Sequence, residues 1–183
     1  LISYTIKASL GSKCDQTWVS TDGSEIKSAS LKYGAHVLDR PDSLSGDLSP
    51  SDDALLHFAE NVDFDTVVFI QTTSPLLQSK YINRGLKMMS KYDSVFSAYK
   101  THWPMFLWTG DSNTFEWDIN NRLMRQTAQD MYVENGSFYI TSREHLLKSK
   151  LRYSGNIGIV EMPFTESFQV DTLEDVKLMK KLL

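Results

Sequence analysis

The chain of 183 residues has one cysteine, Cys14, and no apolar run of the length that a membrane-spanning helix needs, about 20 residues. A single cysteine excludes an internal disulfide and fits a reducing compartment. The chain also lacks a basic excess, because its formal net charge is −4, so nothing indicates a nucleic-acid partner. Repeats, linkers and low-complexity segments are absent too. These absences favour a soluble globular protein of the cytoplasm, with neither membrane nor nucleic acid as a partner.

The length suits a single domain, 1–183, which can bury roughly 70% of the surface of its unfolded chain. The chain opens at Leu1 without a methionine or a visible signal peptide. We therefore expect a start that has been cut, with any targeting segment upstream out of view.

Up to Asp93, predicted strands and helices alternate along the chain. Val67 to Ile70 form an apolar run typical of a buried strand. Such alternation predicts an α/β fold, a doubly wound and mostly parallel sheet with right-handed crossovers. Further helices and strands are predicted as follows: helices over 2–10, 24–33, 51–58, 79–91, 143–150 and from Thr172 onwards, and strands over 16–20, 36–38, 94–100, 131–140 and 156–162. We expect Gly34 to cap the helix of 24–33 and Thr172 to be the N-cap of the last helix.

Residues 102–130 have a different character. Several aromatic residues occur there without helical period, so we predict a β-rich excursion from the main sheet. They are Trp103, Phe106, Trp108, Phe115 and Trp117.

A polar cluster, Gln71-Thr-Thr-Ser-Pro75, ends the Val67 strand abruptly. In an open α/β sheet, ligands bind at the carboxyl ends of the strands. The Gln71 side chain needs both a donor and an acceptor, which a polar ligand would supply. The alternative is a glutamine that bonds to its own loop.

Together with Tyr132-Val-Glu-Asn-Gly-Ser-Phe-Tyr139 and Phe168-Gln-Val-Asp171-Thr, this cluster resembles the acylneuraminate cytidylyltransferases, which make CMP-activated sialic acids. The resemblance implies a Rossmann-like nucleotidyltransferase fold. In that family an opening strand leads into a phosphate-cradling loop, Ala-Arg-x-Gly-Ser-Lys-Gly. Only the segment after it survives here, as Leu1-Ile-Ser-Tyr-Thr-Ile6.

Gly11-Ser12-Lys13 does not replace that loop. It follows a helix and precedes a strand, whereas a phosphate loop follows a strand and opens a helix. We predict an ordinary turn. Since the first strand of a doubly wound sheet is usually central, its absence should leave backbone groups unpaired on both neighbours. We therefore expect a truncated or incomplete chain rather than a natural two-piece or degenerate homologue.

The resemblance places Arg40 and Ser51 at the cytosine and ribose end of CTP, where a helix N-terminus offers free amides. It makes Asp171 a ligand of Mg²⁺, while Gln169 stands where the family usually has a second aspartate. An amide binds Mg²⁺ more weakly than a carboxylate does, so a second strong metal site is in doubt. For Arg40 and Ser51, the alternative is a solvated loop with an ordinary N-cap. For Asp171, the alternative is a carboxylate that only helps to cap the last helix.

For the sugar, the resemblance implies contacts from Arg125, Gln126, Asn135 and Tyr139. The planar guanidinium of Arg125 could hold the sugar carboxylate through two hydrogen bonds. Gly136 would allow a close backbone approach or a positive φ. The arginine could equally be solvated, and the Gly136 segment could be a plain β-bulge.

The function implied is transfer of a cytidylyl group from CTP to an acidic nine-carbon sugar, N-acetylneuraminate or a relative, with release of pyrophosphate. The resemblance also implies a homodimer formed by the aromatic arm of 102–130. Two alternatives stay open: another ulosonate such as legionaminate or pseudaminate as the acceptor, and a non-catalytic or truncated homologue that keeps only the dimer and binding scaffold.

Overall fold

The computed structural model describes residues 1–101, 107–108, 110, 114–115, 117–122, 124, 126 and 130–182. Single turns of 3₁₀ helix cover Asp42–Leu44 and Phe164–Glu166. The longer elements in chain order are α1 (Ile2–Leu10), β1 (Trp18–Thr21), α2 (Ser24–Lys32), β2 (His36–Asp39), α3 (Ser51–Asn61), β3 (Thr66–Ile70), α4 (Ser79–Met88), β4 (Ser94–Thr101), β5 (Leu107–Trp108), β6 (Thr114–Phe115), β7 (Met131–Ser142), α5 (Arg143–Ser149), β8 (Ile157–Glu161) and α6 (Leu173–Leu182).

The strands form a parallel pair, β1 and β2, and a separate four-stranded sheet in the order β3-β7-β4-β8. In the larger sheet β4 and β8 are parallel, whereas β7 is antiparallel to both β3 and β4. Three of its four strands therefore share one direction, and β7 alone reverses it. Within the described part of the chain, β1 and β3 each pair on one side only. This confirms the α/β class and refines the sheet to a mixed one.

Apolar side chains of β3 alternate between two hydrophobic clusters, one on each face of the sheet. Val68 and Ile70 pack with α1, α4 and the core residues Phe138 and Ile140. On the other face, β3 packs with α3 and α5 through side chains that include Val67, Phe69 and Leu146. Because alternate strand residues point to opposite faces, a continuous apolar run predicts cover on both sides. Helices on both faces confirm the doubly wound arrangement.

Gly34 follows α2 in the left-handed backbone region, with φ of +88°. A residue with a Cβ is strained there, so the glycine terminates α2 as predicted.

Gly11 is also a helix C-cap, but for a different reason. Its φ is −80°, and a Cβ built on it would lie 2.7 Å from Ser79 Oγ. That hydroxyl donates to Ala8 O at 2.7 Å and so joins α4 to the end of α1. Lys13 N donates to Asn83 Oδ1 at 2.7 Å. The Gly11-Ser12-Lys13 segment is therefore the packed turn that its position predicted.

The arm predicted over 102–130 contains an antiparallel pair, β5 with β6. Trp117 lies near Arg122, whose guanidinium carbon is 5.9 Å from the ring centroid. Trp103 and Phe106 lie outside the described residues. Among the helices that the structure describes, none has the length and apolar character to cross a bilayer.

Candidate active site

A pocket of about 160 Å³ opens between the end of β2 and the start of α3. It brings together Arg40 and Ser51, the two residues assigned from sequence to the nucleotide, and adds Phe69 from β3. The remaining lining residues come from the loop between β2 and α3: Leu44, Ser45, Gly46, Ser49 and Pro50, with Ala54 from α3.

The Arg40 side chain is held from two directions. Its Nε donates to Ser45 Oγ at 3.1 Å, and Nη2 lies 3.6 Å from Asp22 Oδ1. Ser45 Oγ in turn donates to Pro41 O at 3.0 Å. Asp22 follows β1 and Arg40 follows β2, and these parallel strands end at one edge. Since a guanidinium has five N–H donors, Arg40 keeps donors for a ligand.

Ser51 is the first residue of α3, and the N-cap is Pro50, which supplies no side-chain cap. The interpretation of Ser51 as an ordinary N-cap is therefore not what the structure shows. Asp53 N donates to Pro50 O at 3.1 Å, which leaves the two amides before it without helical partners. Within the described chain, no hydrogen bond uses the Ser51 hydroxyl. This helix end can bind oxygen atoms of a ligand.

Gln71 follows the carboxyl end of β3, the strand that supplies Phe69 to the pocket, and its N donates to Ser137 O at 3.2 Å. Its side-chain amide makes no hydrogen bond with the residues that the structure describes, so the self-bonded alternative is not observed. Gly136 has φ of +67°, and a Cβ there would lie 2.7 Å from Gln71 Oε1. The close backbone approach predicted for Gly136 is confirmed, and it gives the Gln71 amide its room.

Asp171 is joined to the Gln71 loop through its neighbour, because Val170 N donates to Thr73 O at 2.8 Å. The Asp171 carboxylate is exposed and makes no hydrogen bond within the described residues. No group of three or more potential ligands among His, Cys, Asp and Glu forms a metal cluster in the described regions. Mg²⁺ is often held by one or two carboxylates together with water and substrate phosphates, so Asp171 fits such an ion.

The last helix is capped by Asp175 and Thr172, not by the Asp171 carboxylate. Asp175 Oδ2 accepts hydrogen bonds from Thr172 Oγ1 and N, both at 2.8 Å, and from Asp171 N at 3.1 Å. Thr172 Oγ1 accepts from Asp175 N at 3.2 Å, which completes a reciprocal capping box. The Thr172 hydroxyl, followed by the Thr172 and Asp171 amides, lowers the pKa of Asp175. The predicted N-cap at Thr172 is confirmed, and Asp171 stays available.

Asn135, assigned from sequence to the sugar, is buried and bonded internally. Its Oδ1 accepts from Ser97 Oγ at 2.7 Å and from Ser137 N at 3.1 Å. Its Nδ2 donates to Ser167 Oγ at 2.8 Å. In this arrangement Asn135 holds the segment before Asp171 against β7, and its contact with a sugar stays a prediction.

Tyr139 is also buried, and its hydroxyl donates to Glu134 Oε1. Its ring stacks on Phe69 and on Tyr153, with centroids 6.1 and 5.7 Å away. Burial, and then the Glu134 hydrogen bond, raise the pKa of Tyr139 above its ordinary value. The structure therefore places Tyr139 behind Phe69, a wall of the pocket, and its sugar contact is likewise a prediction.

The remaining sugar residues lie in the arm. Arg125 lies outside the described residues, and Gln126 is exposed in a turn. Their assignment to the sugar stays a prediction.

Arg152 was missed by sequence analysis, although it supports the pocket. Its guanidinium lies 5.5 Å from the centroid of Phe69 and 5.1 Å from that of Tyr139. Nη2 donates to Asp52 Oδ2 at 2.7 Å, and Nε lies 3.2 Å from Asp52 Oδ1. The two side chains are only 20% and 21% exposed. This pair fastens the first turn of α3 to the aromatic wall, and the 100 residues between the partners hide it from sequence patterns.

Replacing Arg152 by methionine is expected to lower the free energy of unfolding by about 2 kcal/mol, below the ~3–5 kcal/mol of a fully buried pair. The loss arises because Asp52 keeps its charge in a partly buried place. Urea unfolding measures it, with Asp52→Asn and the double variant completing a cycle. The free energy of unfolding of the double variant should fall by clearly less than the sum of the two single-variant decreases. Additive losses would show that the pair does not couple α3 to Arg152.

Comparison with known proteins gives the context of this site. Residues 1–182 match the sequence profile of the cytidylyltransferase family. N-acylneuraminate cytidylyltransferase A of Danio rerio is 34% identical over 93% of this chain. The N-acylneuraminate cytidylyltransferase of Streptococcus agalactiae serotype V is 28% identical over 96% of the chain. The chain spans 42% and 45% of those two relatives, less than half of each.

Solved structures share the fold at low sequence identity. A CMP:2-keto-3-deoxy-manno-octonic acid synthetase complexed with CTP matches with a TM-score of 0.69 at 18% identity, covering 100% of this chain and 88% of that one. The 4-diphosphocytidyl-2C-methyl-D-erythritol synthase of Anaerococcus prevotii matches with a TM-score of 0.72 at 13% identity, covering 99% and 84%. The profile match over nearly the whole length and the 34% identical relative agree with this fold. The chain belongs to the cytidylyltransferase family.

Proposed function

We propose that the protein transfers a cytidylyl group from CTP to an acidic nine-carbon sugar. One observation carries the proposal: Arg40 and Ser51 line one pocket with Phe69 of β3, and Gln71 follows the carboxyl end of that strand. The Asp171 segment is bonded to the Gln71 loop, and neither the Gln71 nor the Asp171 side chain has a hydrogen bond with the described residues. An open helix N-terminus and an arginine suit a nucleotide, which carries negative charge and polar edges.

In the proposed reaction, the anomeric hydroxyl of the sugar attacks the α-phosphorus of CTP. A new bond forms between that oxygen and the α-phosphorus, and the bond from the α-phosphorus to the oxygen that bridges to the β-phosphate breaks. Pyrophosphate leaves, and the hydroxyl proton passes to solvent water. Arg40 and Ser51 hold the nucleoside end, and the Gln71 amide donates to an α-phosphate oxygen as charge develops there. Asp171 would hold a Mg²⁺ ion, which when bound neutralises phosphate charge.

The proposed acceptor is N-acetylneuraminate or a close relative. Its support is the name shared by the zebrafish and streptococcal relatives, N-acylneuraminate cytidylyltransferase, at 34% and 28% identity. Arg125 is the proposed contact of the sugar carboxylate, and Gln126, Asn135 and Tyr139 are the other proposed sugar contacts. Legionaminate, pseudaminate and other ulosonates are the alternative acceptors.

We further propose that the protein is a cytoplasmic homodimer joined through the arm of 102–130. The support is the aromatic content of that arm, since aromatic residues are enriched at protein interfaces. Sedimentation of the purified protein tests the dimer. A protein that sediments as a monomer at micromolar concentration would contradict the proposed dimer.

Release of pyrophosphate from CTP and Mg²⁺ tests the proposed activity, with a panel of nine-carbon ulosonic acids as acceptors. The 183-residue chain is assayed beside a form extended upstream by one strand and loop. We expect acceptor-dependent release with N-acetylneuraminate or a relative in at least one form, called below the active form. Release that needs no acceptor would indicate nucleotide hydrolysis. Absence of release in both forms, with dimerisation intact, would favour the non-catalytic alternative.

A further inference from the structure

The Gln169 side chain joins three separate segments of the chain. Its Oε1 accepts a hydrogen bond from Thr73 Oγ1 at 2.6 Å. Its Nε2 donates to Ser74 Oγ and to Asn135 O, both at 2.6 Å. The Gln71 loop, the Gly136 turn of β7 and the segment that carries Asp171 therefore meet at one amide.

This site requires an amide and not a carboxylate. The carbonyl oxygen of Asn135 can only accept, so the atom 2.6 Å away from it must donate. That fixes Nε2 towards Asn135 and leaves Oε1 to accept from Thr73. A glutamate of the same length would place an oxygen against the carbonyl and lose the donor.

The cross-link lies beside Gln71 and Asp171, whose side chains make no hydrogen bond with the described residues. Thr73 and Ser74 follow Gln71 in one turn, in which Ser74 N donates to Gln71 O at 3.2 Å. Val170, next to Gln169, donates to Thr73 O at 2.8 Å, so Asp171 is held against the same turn. Without the amide, the bond from Val170 N to Thr73 O would be the one hydrogen bond left, among the described residues, between 71–74 and 169–171.

We propose that Gln169 is a positioning residue for the transfer reaction, which fixes the Gln71 loop and the Asp171 segment to each other and to β7. This inference rests on the proposed function for its effect on rate. It assigns Gln169 no contact with substrate. Correct placement of two reacting groups is sensitive to small shifts, and a displacement of about 1 Å can lower a rate about 10²-fold.

Gln169→Glu in the active form is the test. We expect kcat to fall about 10- to 100-fold, while KM for CTP stays within about twofold because Arg40 and Ser51 hold the nucleoside elsewhere.

Ser94→Ala is the matched control. Ser94 Oγ is buried and donates to Ser154 O at 2.7 Å, at the amino end of β4 away from the site. Ser94→Ala should lower Tm by about as much as Gln169→Glu does, and it should leave kcat unchanged. Unchanged kcat in Gln169→Glu, or an equal loss of kcat in Ser94→Ala, would overturn the inference.

Hydrogen exchange separates this inference from the proposed function. The amides of Ser74 and Val170 should exchange faster in Gln169→Glu than in wild type, whether or not the protein transfers a cytidylyl group. Unchanged exchange at both amides would overturn the cross-link. If exchange is faster but the protein has no transfer activity, the cross-link is supported and its proposed effect on catalysis is rejected.

Discussion

Replacing Gln71 by alanine in the active form is expected to lower kcat roughly 10²–10³-fold, the loss typical of removing one donor to a developing negative charge. Tm should change little, because the Gln71 side chain makes no hydrogen bond with the described residues. Steady-state kinetics and thermal melting of the same preparation measure both quantities.

Gln78→Ala is the control for this expectation. Gln78 follows the same turn, and its Nε2 donates to Glu166 Oε2 at 2.8 Å on the exposed surface. We expect it to keep the wild-type kcat. A parallel loss of kcat and Tm in Gln71→Ala would make Gln71 a structural residue.

Asp171→Asn is expected to raise the Mg²⁺ concentration for half-maximal activity at least about tenfold, because an amide is a weaker ligand of Mg²⁺ than a carboxylate. Folding should be nearly unaffected, since the Asp171 carboxylate has no partner in the described structure. A Mg²⁺ titration of the rate, with melting of the metal-free protein beside it, gives both values.

Asp175→Asn provides the matched acid four residues away. Asp175 accepts three hydrogen bonds at the start of α6, so its loss should lower Tm. The Mg²⁺ concentration for half-maximal activity should stay at the wild-type value. If Asp175→Asn shifts the titration and Asp171→Asn does not, the metal ligand has been assigned to the wrong carboxylate.

Local patterns predicted much of the fold. The apolar run of β3 showed that both faces of the sheet are covered, and Gly34 marked the end of α2. The run predicted for α4 extended to Lys91, whereas the helix ends at Met88. Helix ends fray and depend on packing, so a periodic pattern does not locate them well.

Parts of the site that adjoin a strand end were also predictable. Arg40 and Ser51 meet in one pocket, and Gly136 gives Gln71 its close approach. The family resemblance implied the first of these, and glycine at 136 is the residue type that adopts a positive φ most readily.

Pairs distant in sequence were not predictable. The Arg152–Asp52 pair spans 100 residues, and the Gln169 bonds to Thr73 and Ser74 span 96 and 95. No local period specifies such contacts. Asn135 shows the opposite difficulty: a polar residue in a suggestive segment proved to have internal partners, which only the packing of β7 against 167–171 reveals.

A crystal structure of the active form with CTP tests the central claim most directly. The account predicts the cytosine and ribose in the pocket of Arg40, Ser51 and Phe69, with the α-phosphate within hydrogen-bond distance of the Gln71 amide. A nucleotide bound away from this pocket, or an α-phosphate remote from Gln71, would contradict it.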